Sequence, residues 1–130
     1  MRLLLDTHSL IWALENSPRL GPGARAAILG HQTLLYISTV SIWEISIKTA
    51  TRRLSLAVPF EEDITALLAN GYDALPITFA HAYAVRYLPH HHRDPFDRML
   101  IAQAQCDGLT IVTADPAFRA YPVPVLDASS

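Results

Sequence analysis

Four carboxylates stand where a predicted strand has just ended or a predicted helix has just begun. They are Asp6, Glu44, Asp97 and Asp115. Carboxylate oxygens are the ligands that hard cations such as Mg²⁺ and Mn²⁺ prefer. A cation held by several carboxylates can activate water and neutralise charge on a phosphoryl transition state. The four acids therefore predict a metal site that hydrolyses phosphate esters.

Each aspartate also has a purely structural interpretation. Asp6 fits the N-cap of a helix that starts at Thr7, and Asp115 followed by proline fits a second N-cap. Asp94, also followed by proline, fits a third, and Asp97 would then lie in the first turn of that helix, where the helix dipole favours a negative charge. Capping alone could therefore explain each aspartate taken singly.

Glu44 has two structural interpretations of its own. Ser41 and Glu44 match the spacing of a capping box, and Glu44 with Lys48 matches a surface pair at positions i and i+4. Neither role requires acids at the ends of several elements of one sheet. If the four acids do converge, their repulsion would raise some of their pKa values unless a cation is bound.

Strands and helices alternate along the chain, which predicts a parallel sheet with helices on both faces and right-handed crossovers. In such sheets, functional groups gather beyond the carboxyl ends of the strands, where Asp6 and Asp115 fall. Strands are predicted at Arg2–Leu5, Leu34–Ile37, Tyr72–Ile77, Thr110–Thr113 and Val123–Leu126. Helices are predicted at Thr7–Leu14, Pro22–Leu29, Thr39–Thr51, Val58–Leu68, Phe79–Tyr87 and Pro95–Cys106.

Composition excludes several classes of protein. The 130 residues, 51% of them hydrophobic, suit one domain over positions 1–130. A formal net charge of −2 argues against a broad basic surface, so any contact with nucleic acid would be local or bridged by a metal. Cys106 is the only cysteine, which excludes an internal disulfide and a cysteine zinc cage. No membrane span or signal peptide is recognised, and a cytoplasmic location is expected.

Four stretches of the sequence resemble the PIN-domain family, in particular the VapC-type toxins of toxin–antitoxin pairs. They occur in the family's order, and the resemblance runs from Met1 to about Leu126. HHRDPFDRMLIAQA is the most specific of them. The stretches are MRLLLDTH, STVSIWEISIK, HHRDPFDRMLIAQA and IVTADPAF.

The resemblance implies a three-layer α/β/α fold with a parallel five-stranded sheet, and an endoribonuclease that uses Mg²⁺ or Mn²⁺. It also implies a homodimer and a small antitoxin whose C-terminal segment occupies the active-site groove. By motif, it assigns all four acids to catalysis. The metal ligands that it implies are Asp6, Asp97 and Asp115.

Several other residues near these motifs have two interpretations. Asp94 could tune the site or only cap a helix. Thr113 stands where many PIN sites have a threonine or serine, and Thr7 could satisfy backbone groups or contact the site. Arg98 could contact RNA phosphate or a neighbouring acid, or be an ordinary surface arginine. Arg52-Arg53 could stabilise the C-terminal end of the helix that contains Glu44, where the helix dipole favours positive charge, or they could contact RNA.

The histidines and the aromatic residues are predicted to be structural. Three adjacent histidines, His90–His92, cannot all face one ion in regular structure, so a solvated loop is favoured. Four aromatic side chains could stack on bases, but their place in apolar periodic segments favours core packing. The aromatic residues are Trp12, Tyr36, Trp43 and Phe96.

Three other functions stay open at this point: a metal-dependent DNA nuclease, a phosphatase on a similar sheet, and a catalytically idle protein-binding module. Retention of all four acids argues against the idle module. A nucleotide-binding domain is poorly supported, because the sequence has neither a G-x-G-x-x-G motif nor a P-loop.

Overall fold

The computed structural model describes residues 1–130 and has a five-stranded, all-parallel sheet in the order β3-β2-β1-β4-β5. The strands are β1 (Arg2–Leu5), β2 (Leu34–Ser38), β3 (Tyr72–Leu75), β4 (Thr110–Thr113) and β5 (Val125–Asp127). The helices are α1 (Thr7–Leu14), α2 (Pro22–Ile28), α3 (Thr39–Ala50), α4 (Phe60–Ala69), α5 (Phe79–Val85) and α6 (Pro95–Asp107). A short 3₁₀ helix covers Pro116–Ala120.

The central strand β1 shows why its sequence is a continuous apolar run. Leu3 and Leu5 face one hydrophobic core, which includes residues of α1 and α2. Leu4 faces the opposite core, which includes Leu100 and Ile101 of α6. All three leucines are fully buried because helices cover both faces of the sheet. The predicted three-layer α/β/α fold with a parallel five-stranded sheet is confirmed.

Helix caps set the entry of the chain into α1 and α6. Asp6 and Asp94 are the N-caps of these helices, as predicted. Gly108, in the left-handed conformation with φ of 68°, ends α6. The predicted capping box of Ser41 and Glu44 is wrong, because Ser38 is the N-cap of α3 and Glu44 therefore lies in the second turn. Ser38 Oγ accepts the hydrogen bond from the N–H of Val40 at 3.1 Å.

Several predicted boundaries move by two residues. α5 ends at Val85 rather than Tyr87, whereas β3 is the short strand expected within Tyr72–Ile77. β5 starts at Val125 rather than Val123, because Pro124 has no N–H for the ladder and offers only its carbonyl, to the N–H of Ile111. None of the helices is long and apolar enough to cross a membrane.

Candidate active site

The strand order places β1 between β2 and β4: the chain continues from β1 to β2 and β3 on one side, then crosses over to β4 and β5 on the other. Such a reversal opens a crevice at the carboxyl ends of the strands. Asp6 follows β1 directly and Asp115 follows β4 by two residues. Glu44 reaches the crevice from α3, which begins directly after β2, and Asp97 reaches it from the first turn of α6.

Asp97 lies at the centre of the four acids. Burial raises the pKa of the Asp97 carboxyl to about 8, well above the usual 3.8 of an aspartate. Negative charges nearby add to the rise; they belong to Asp94, Asp6, Glu44 and Asp115. The structure thus brings all four predicted acids together, with Asp94 beside them. Their assignment to catalysis stays a prediction.

Asp6 caps a helix and faces the crevice at the same time. Its Oδ1 accepts a hydrogen bond from the N–H of Ser9 at 2.8 Å, which is the N-cap contact of α1. Its Oδ2 accepts a hydrogen bond from Thr113 Oγ1 at 2.6 Å. Burial also raises the pKa of Asp6, although both hydrogen bonds oppose the rise. Capping and site membership are therefore compatible for this residue.

Asp115 divides its two oxygens in the same way. Oδ1 accepts from the N–H of Ala117 at 2.9 Å and caps the 3₁₀ helix. Oδ2 lies 3.1 Å from His92 Nε2. The N–H of Asp115 donates to Thr113 Oγ1 at 3.0 Å, so the Thr113 hydroxyl connects Asp6 with Asp115. Thr113, predicted as an auxiliary residue, lies inside the acidic cluster.

Glu44 is the most enclosed of the four acids, with 2% of its surface exposed. Its Oε1 accepts a hydrogen bond from Thr7 Oγ1 at 2.6 Å, and its Oε2 forms an ion pair with Lys48. The predicted pairing with Lys48 is confirmed, but Glu44 itself is buried. The Thr7 hydroxyl also lies 3.1 Å from Ser41 Oγ. Both carboxylate oxygens of Glu44 are thus engaged, as are those of Asp115, whereas only Oδ2 of Asp97 has a close polar partner in the chain.

His92 belongs to the site, so the prediction of a solvated loop is wrong for this histidine. Its side chain is 13% exposed, and Nε2 lies 3.0 Å from Asp97 Oδ2 and 3.1 Å from Asp115 Oδ2. Its Nδ1 accepts a hydrogen bond from the N–H of Asp94 at 3.2 Å. An acceptor at Nδ1 leaves the proton on Nε2. His92 therefore donates to Asp115, and the same nitrogen lies close to Asp97.

The donor set fits a hard divalent cation. His92, Asp97 and Asp115 offer atoms that all lie within 4.8 Å of one another. Since Nε2 of His92 carries a proton, the carboxylates are the donors that remain for an ion. A site whose ligands are carboxylate oxygens, with no thiolate and no free imidazole nitrogen, favours Mg²⁺ or Mn²⁺ over zinc. An ion here would also offset the repulsion that raises the pKa of Asp97.

Arg98 has a structural role: it is neither an ordinary surface arginine nor a partner of a neighbouring acid, and a contact with RNA phosphate stays a prediction. The side chain is buried, with 9% of its surface exposed. Its guanidinium donates to the carbonyl oxygens of Pro89 at 2.9 Å, Val85 at 3.2 Å and Leu88 at 3.3 Å. The bonds fasten the segment after α5 to α6, and this segment leads to His92.

Trp43 is 58% exposed, so the prediction of core packing is wrong for this side chain. It meets Phe96 edge to face at 5.1 Å between ring centroids. The two rings line an apolar cleft of about 260 Å³ next to the acids. Trp12, Tyr36 and Phe96 are partly buried and pack against the two cores, as predicted. Trp43 and Glu44 are adjacent on α3, but Trp43 faces solvent whereas Glu44 is buried.

Comparison with known proteins gives consistent matches over nearly the whole chain. The PIN-domain family model matches residues 3–124. Ribonuclease VapC22 of Mycobacterium tuberculosis is 30% identical over 120 residues, covering 92% of this chain and 91% of that protein. VapBC2 of Rickettsia felis, solved with a DNA fragment from its promoter, aligns with a TM-score of 0.71 and 13% identity, covering 97% of this chain and 98% of that chain. DNA-bound VapBC of Salmonella typhimurium aligns with a TM-score of 0.67 and 20% identity, covering 98% of both chains.

These matches confirm the resemblance carried by the four sequence motifs. At 13% and 20% identity, the two solved structures support the fold alone. The matched range of the family model includes all four acids. The relative from Mycobacterium tuberculosis aligns over 92% of this chain. The chain belongs to the PIN-domain family, and within it to the VapC-type proteins.

Proposed function

We propose that this chain is a metal-dependent endoribonuclease, the toxin of a type II toxin–antitoxin pair, formed by one nuclease domain over residues 1–130. The observation that carries the proposal is the convergence of three further acids and Asp94 on Asp97, whose pKa rises to about 8. Such a concentration of carboxylates, two of them buried and the others partly buried, is typical of a site that binds a cation. The relative named Ribonuclease VapC22 supports RNA as the substrate.

In this proposal Asp6, Asp97 and Asp115 hold Mg²⁺ or Mn²⁺. A bound ion would neutralise charge on the phosphodiester and lower the pKa of water. Thr113 orients Asp6 through the 2.6 Å hydrogen bond, and His92 orients Asp97 and Asp115. Glu44 completes the acidic cluster, with its charge partly balanced by Lys48.

The expected partners are an antitoxin protein and a second copy of this chain. Two structural neighbours were solved as VapBC assemblies, one from Rickettsia felis and one from Salmonella typhimurium. We propose a homodimer whose active-site groove is occupied by a segment of the antitoxin. We also expect the toxin to act in the cytoplasm, where RNA and a co-produced antitoxin would meet it.

A comparison of three substrates tests the activity. The purified chain is incubated with single-stranded RNA, single-stranded DNA of the same sequence and a small phosphate monoester, each with Mn²⁺, Mg²⁺ or EDTA. We expect RNA cleavage with either ion and none with EDTA. Preferential cleavage of the DNA or the monoester would contradict the ribonuclease assignment. Bound Mn²⁺ without cleavage of any substrate would favour an idle binding module.

A growth assay tests the toxin role separately. Induced expression of the chain should arrest growth, and co-expression of the small protein encoded next to it should restore growth. Asp97→Asn at equal expression should not arrest growth. Arrest by the Asp97→Asn chain would show that toxicity does not depend on the acidic site.

A further inference from the structure

A second cavity lies beside Glu44, on the side lined by α1. It lies between α1 and the C-terminal end of α3 and has a volume of about 370 Å³. Ligand pockets commonly measure roughly 300–1,000 Å³. We call it the α1–α3 cleft; its lining residues are Thr7, His8, Ile11, Glu44, Lys48, Arg53 and Leu54.

Its charge balance differs from that of the acidic cluster next to it. Glu44 is the one acid in the lining, and Lys48 is paired with it. An ammonium group has three donors, so Lys48 can donate to a ligand as well. Arg53 is exposed and forms none of the salt bridges of the chain. Arg53 thus adds a positive charge that no carboxylate of the chain balances.

An unusual backbone conformation directs Arg53 into the cleft. Arg52 has a φ of 59°, in the left-handed region that a non-glycine residue seldom adopts. The N–H of Arg53 then donates back to the carbonyl of Lys48 at 2.8 Å, and the N–H of Arg52 to that of Thr49 at 3.2 Å. These bonds close α3 in a Schellman motif. The reversal places Arg53 beside Lys48 instead of leading it away from the helix.

The floor of the cleft is apolar, formed by Ile11 and Leu54. A second cleft of about 310 Å³ shares His8, Ile11 and Leu54 with the first and extends to Trp12, Arg19 and one acid, Glu15. The two together form a groove along α1 that starts at the acidic cluster. The apolar floor and the cations Lys48, Arg53 and Arg19 suit a single nucleic-acid strand, whose base faces pack on apolar surface and whose phosphates are charged.

We propose that the α1–α3 cleft binds a backbone phosphate of single-stranded RNA, next to the phosphate that is hydrolysed, through Arg53, Lys48 and His8. The inference rests on the proposed ribonuclease function and adds a second phosphate subsite to it. Arg53 is a binding residue that determines where the strand lies. It takes no part in the bond cleavage itself.

Arg53→Gln and Arg52→Gln form a matched pair. Each removes one exposed positive charge from the same turn, but only Arg53 lines the cleft. Binding of a fluorescent single-stranded RNA is measured by anisotropy between about 50 and 200 mM KCl, with Ca²⁺ replacing Mn²⁺ to suppress cleavage. We expect Arg53→Gln to weaken binding about tenfold at the lowest salt and to reduce the salt slope by about 0.7. Arg52→Gln should stay within about twofold of the unmodified chain, as expected for a surface substitution.

A scan with neutral methylphosphonate linkages locates the phosphate. One linkage other than the scissile one should weaken binding to the unmodified chain and to Arg52→Gln, and should have no effect on Arg53→Gln. Equal salt slopes for the two variants, or no linkage whose effect depends on Arg53, would overturn the inference. So would a loss of antitoxin binding in Arg53→Gln with RNA binding intact, which would make the cleft a protein site.

Failure of this inference is distinguishable from failure of the proposed function. Binding is measured without turnover, so an RNA-binding chain that does not cleave RNA with Mn²⁺ would contradict the ribonuclease proposal and still test the subsite. Cleavage that is normal in both arginine variants, with identical salt slopes, would leave the ribonuclease proposal standing and reject the subsite.

Discussion

The Thr113 hydroxyl donates a hydrogen bond to Asp6 Oδ2 at 2.6 Å and so joins the carboxyl ends of two neighbouring strands, β1 and β4. The same hydroxyl accepts the N–H of Asp115 at 3.0 Å. A single side chain thereby sets the positions of two of the proposed ligands. Both groups are close to the end of a rigid, fully buried strand, which favours a fixed separation between the two carboxylates.

Thr113→Val keeps the shape of the side chain and removes both hydrogen bonds. We expect the free energy of unfolding to fall by about 1–3 kcal/mol, because a buried acceptor on Asp6 and the N–H of Asp115 lose their partner. Urea unfolding measures this change. Mn²⁺ affinity, measured by calorimetry, should fall by roughly 10–100-fold, as for other residues that orient metal ligands.

Thr113→Ser is the control for this prediction, because it retains the hydroxyl and loses only a methyl group. It should keep Mn²⁺ affinity within about threefold of the unmodified chain. Equal losses of Mn²⁺ affinity in Thr113→Ser and Thr113→Val would mean that packing at this position, rather than the hydrogen bonds, sets the carboxylates.

The raised pKa of Asp97 predicts how the stability of the metal-free chain depends on pH. The carboxyl has a pKa of about 8 in the folded chain and an ordinary value of 3.8. Between these values the folded chain holds a proton that the unfolded chain releases, so the free energy of unfolding falls as pH rises from about 4 to about 8. Below about pH 4 the stabilisation that the raised pKa of Asp97 gives the folded chain is fully present. The raised pKa of Asp6 acts in the same direction.

Denaturant unfolding in EDTA at several pH values measures this slope. Asp97→Asn should flatten it, whereas Asp73→Asn, which removes an exposed carboxyl on β3, should leave it unchanged. Excess Mn²⁺ should raise the stability most at the alkaline end, because the ion binds the deprotonated carboxylates. A slope that persists in Asp97→Asn would place the titrating group elsewhere.

The sheet and the four acids could be predicted from sequence because local patterns carry them. The run Leu3–Leu5 has no polar residue, so it suits only a strand covered on both faces. Asp6 follows this run directly and Asp115 follows β4 by two residues, and parallel strands bring their carboxyl ends to one edge. The choice between capping and catalysis could not be made from sequence, since one oxygen of each aspartate caps while the other faces the site.

The missed residues depend on contacts between distant segments. His92 lies in a loop with no periodicity, and its place is set by the N–H of Asp94 and by Asp115, 23 residues away. Arg98 looked like a surface residue because its acceptors are carbonyls of an irregular segment. Trp43 follows an apolar pattern, but neither core reaches its side of α3. The spacing of residues in the sequence therefore does not predict the positions of these three side chains.

Arg98→Met should reduce stability and leave the chemistry intact. The substitution keeps much of the volume but removes the donors to four carbonyl oxygens, those of Val85, Leu88, Pro89 and His92. We expect a loss of about 2–5 kcal/mol in the free energy of unfolding. Arg98→Lys should recover only part of it, because an ammonium group lacks the planar fork of a guanidinium. A loss of activity without a loss of stability would instead indicate a direct contact with the substrate.

His92→Phe should weaken cation binding, because the ring can no longer donate to Asp115 or offer a polar atom next to Asp97. We expect a roughly 10–100-fold loss of Mn²⁺ affinity, measured by calorimetry. His92→Gln is the matched variant, since its amide nitrogen can replace Nε2 as a donor and should restore part of the affinity. Tighter Mn²⁺ binding in His92→Phe would show that the histidine competes with the ion.

Mn²⁺-dependent RNA cleavage by Asp97→Asn, compared with Asp73→Asn, tests the central claim most directly. Both variants replace one carboxylate by an amide, but only Asp97 lies among the clustered acids. With folding checked by thermal unfolding, we predict at least about a 100-fold loss of cleavage rate in Asp97→Asn and an unchanged rate in Asp73→Asn. Cleavage by a folded Asp97→Asn chain at the rate of the unmodified chain would contradict the assignment of this acidic cluster as the active site.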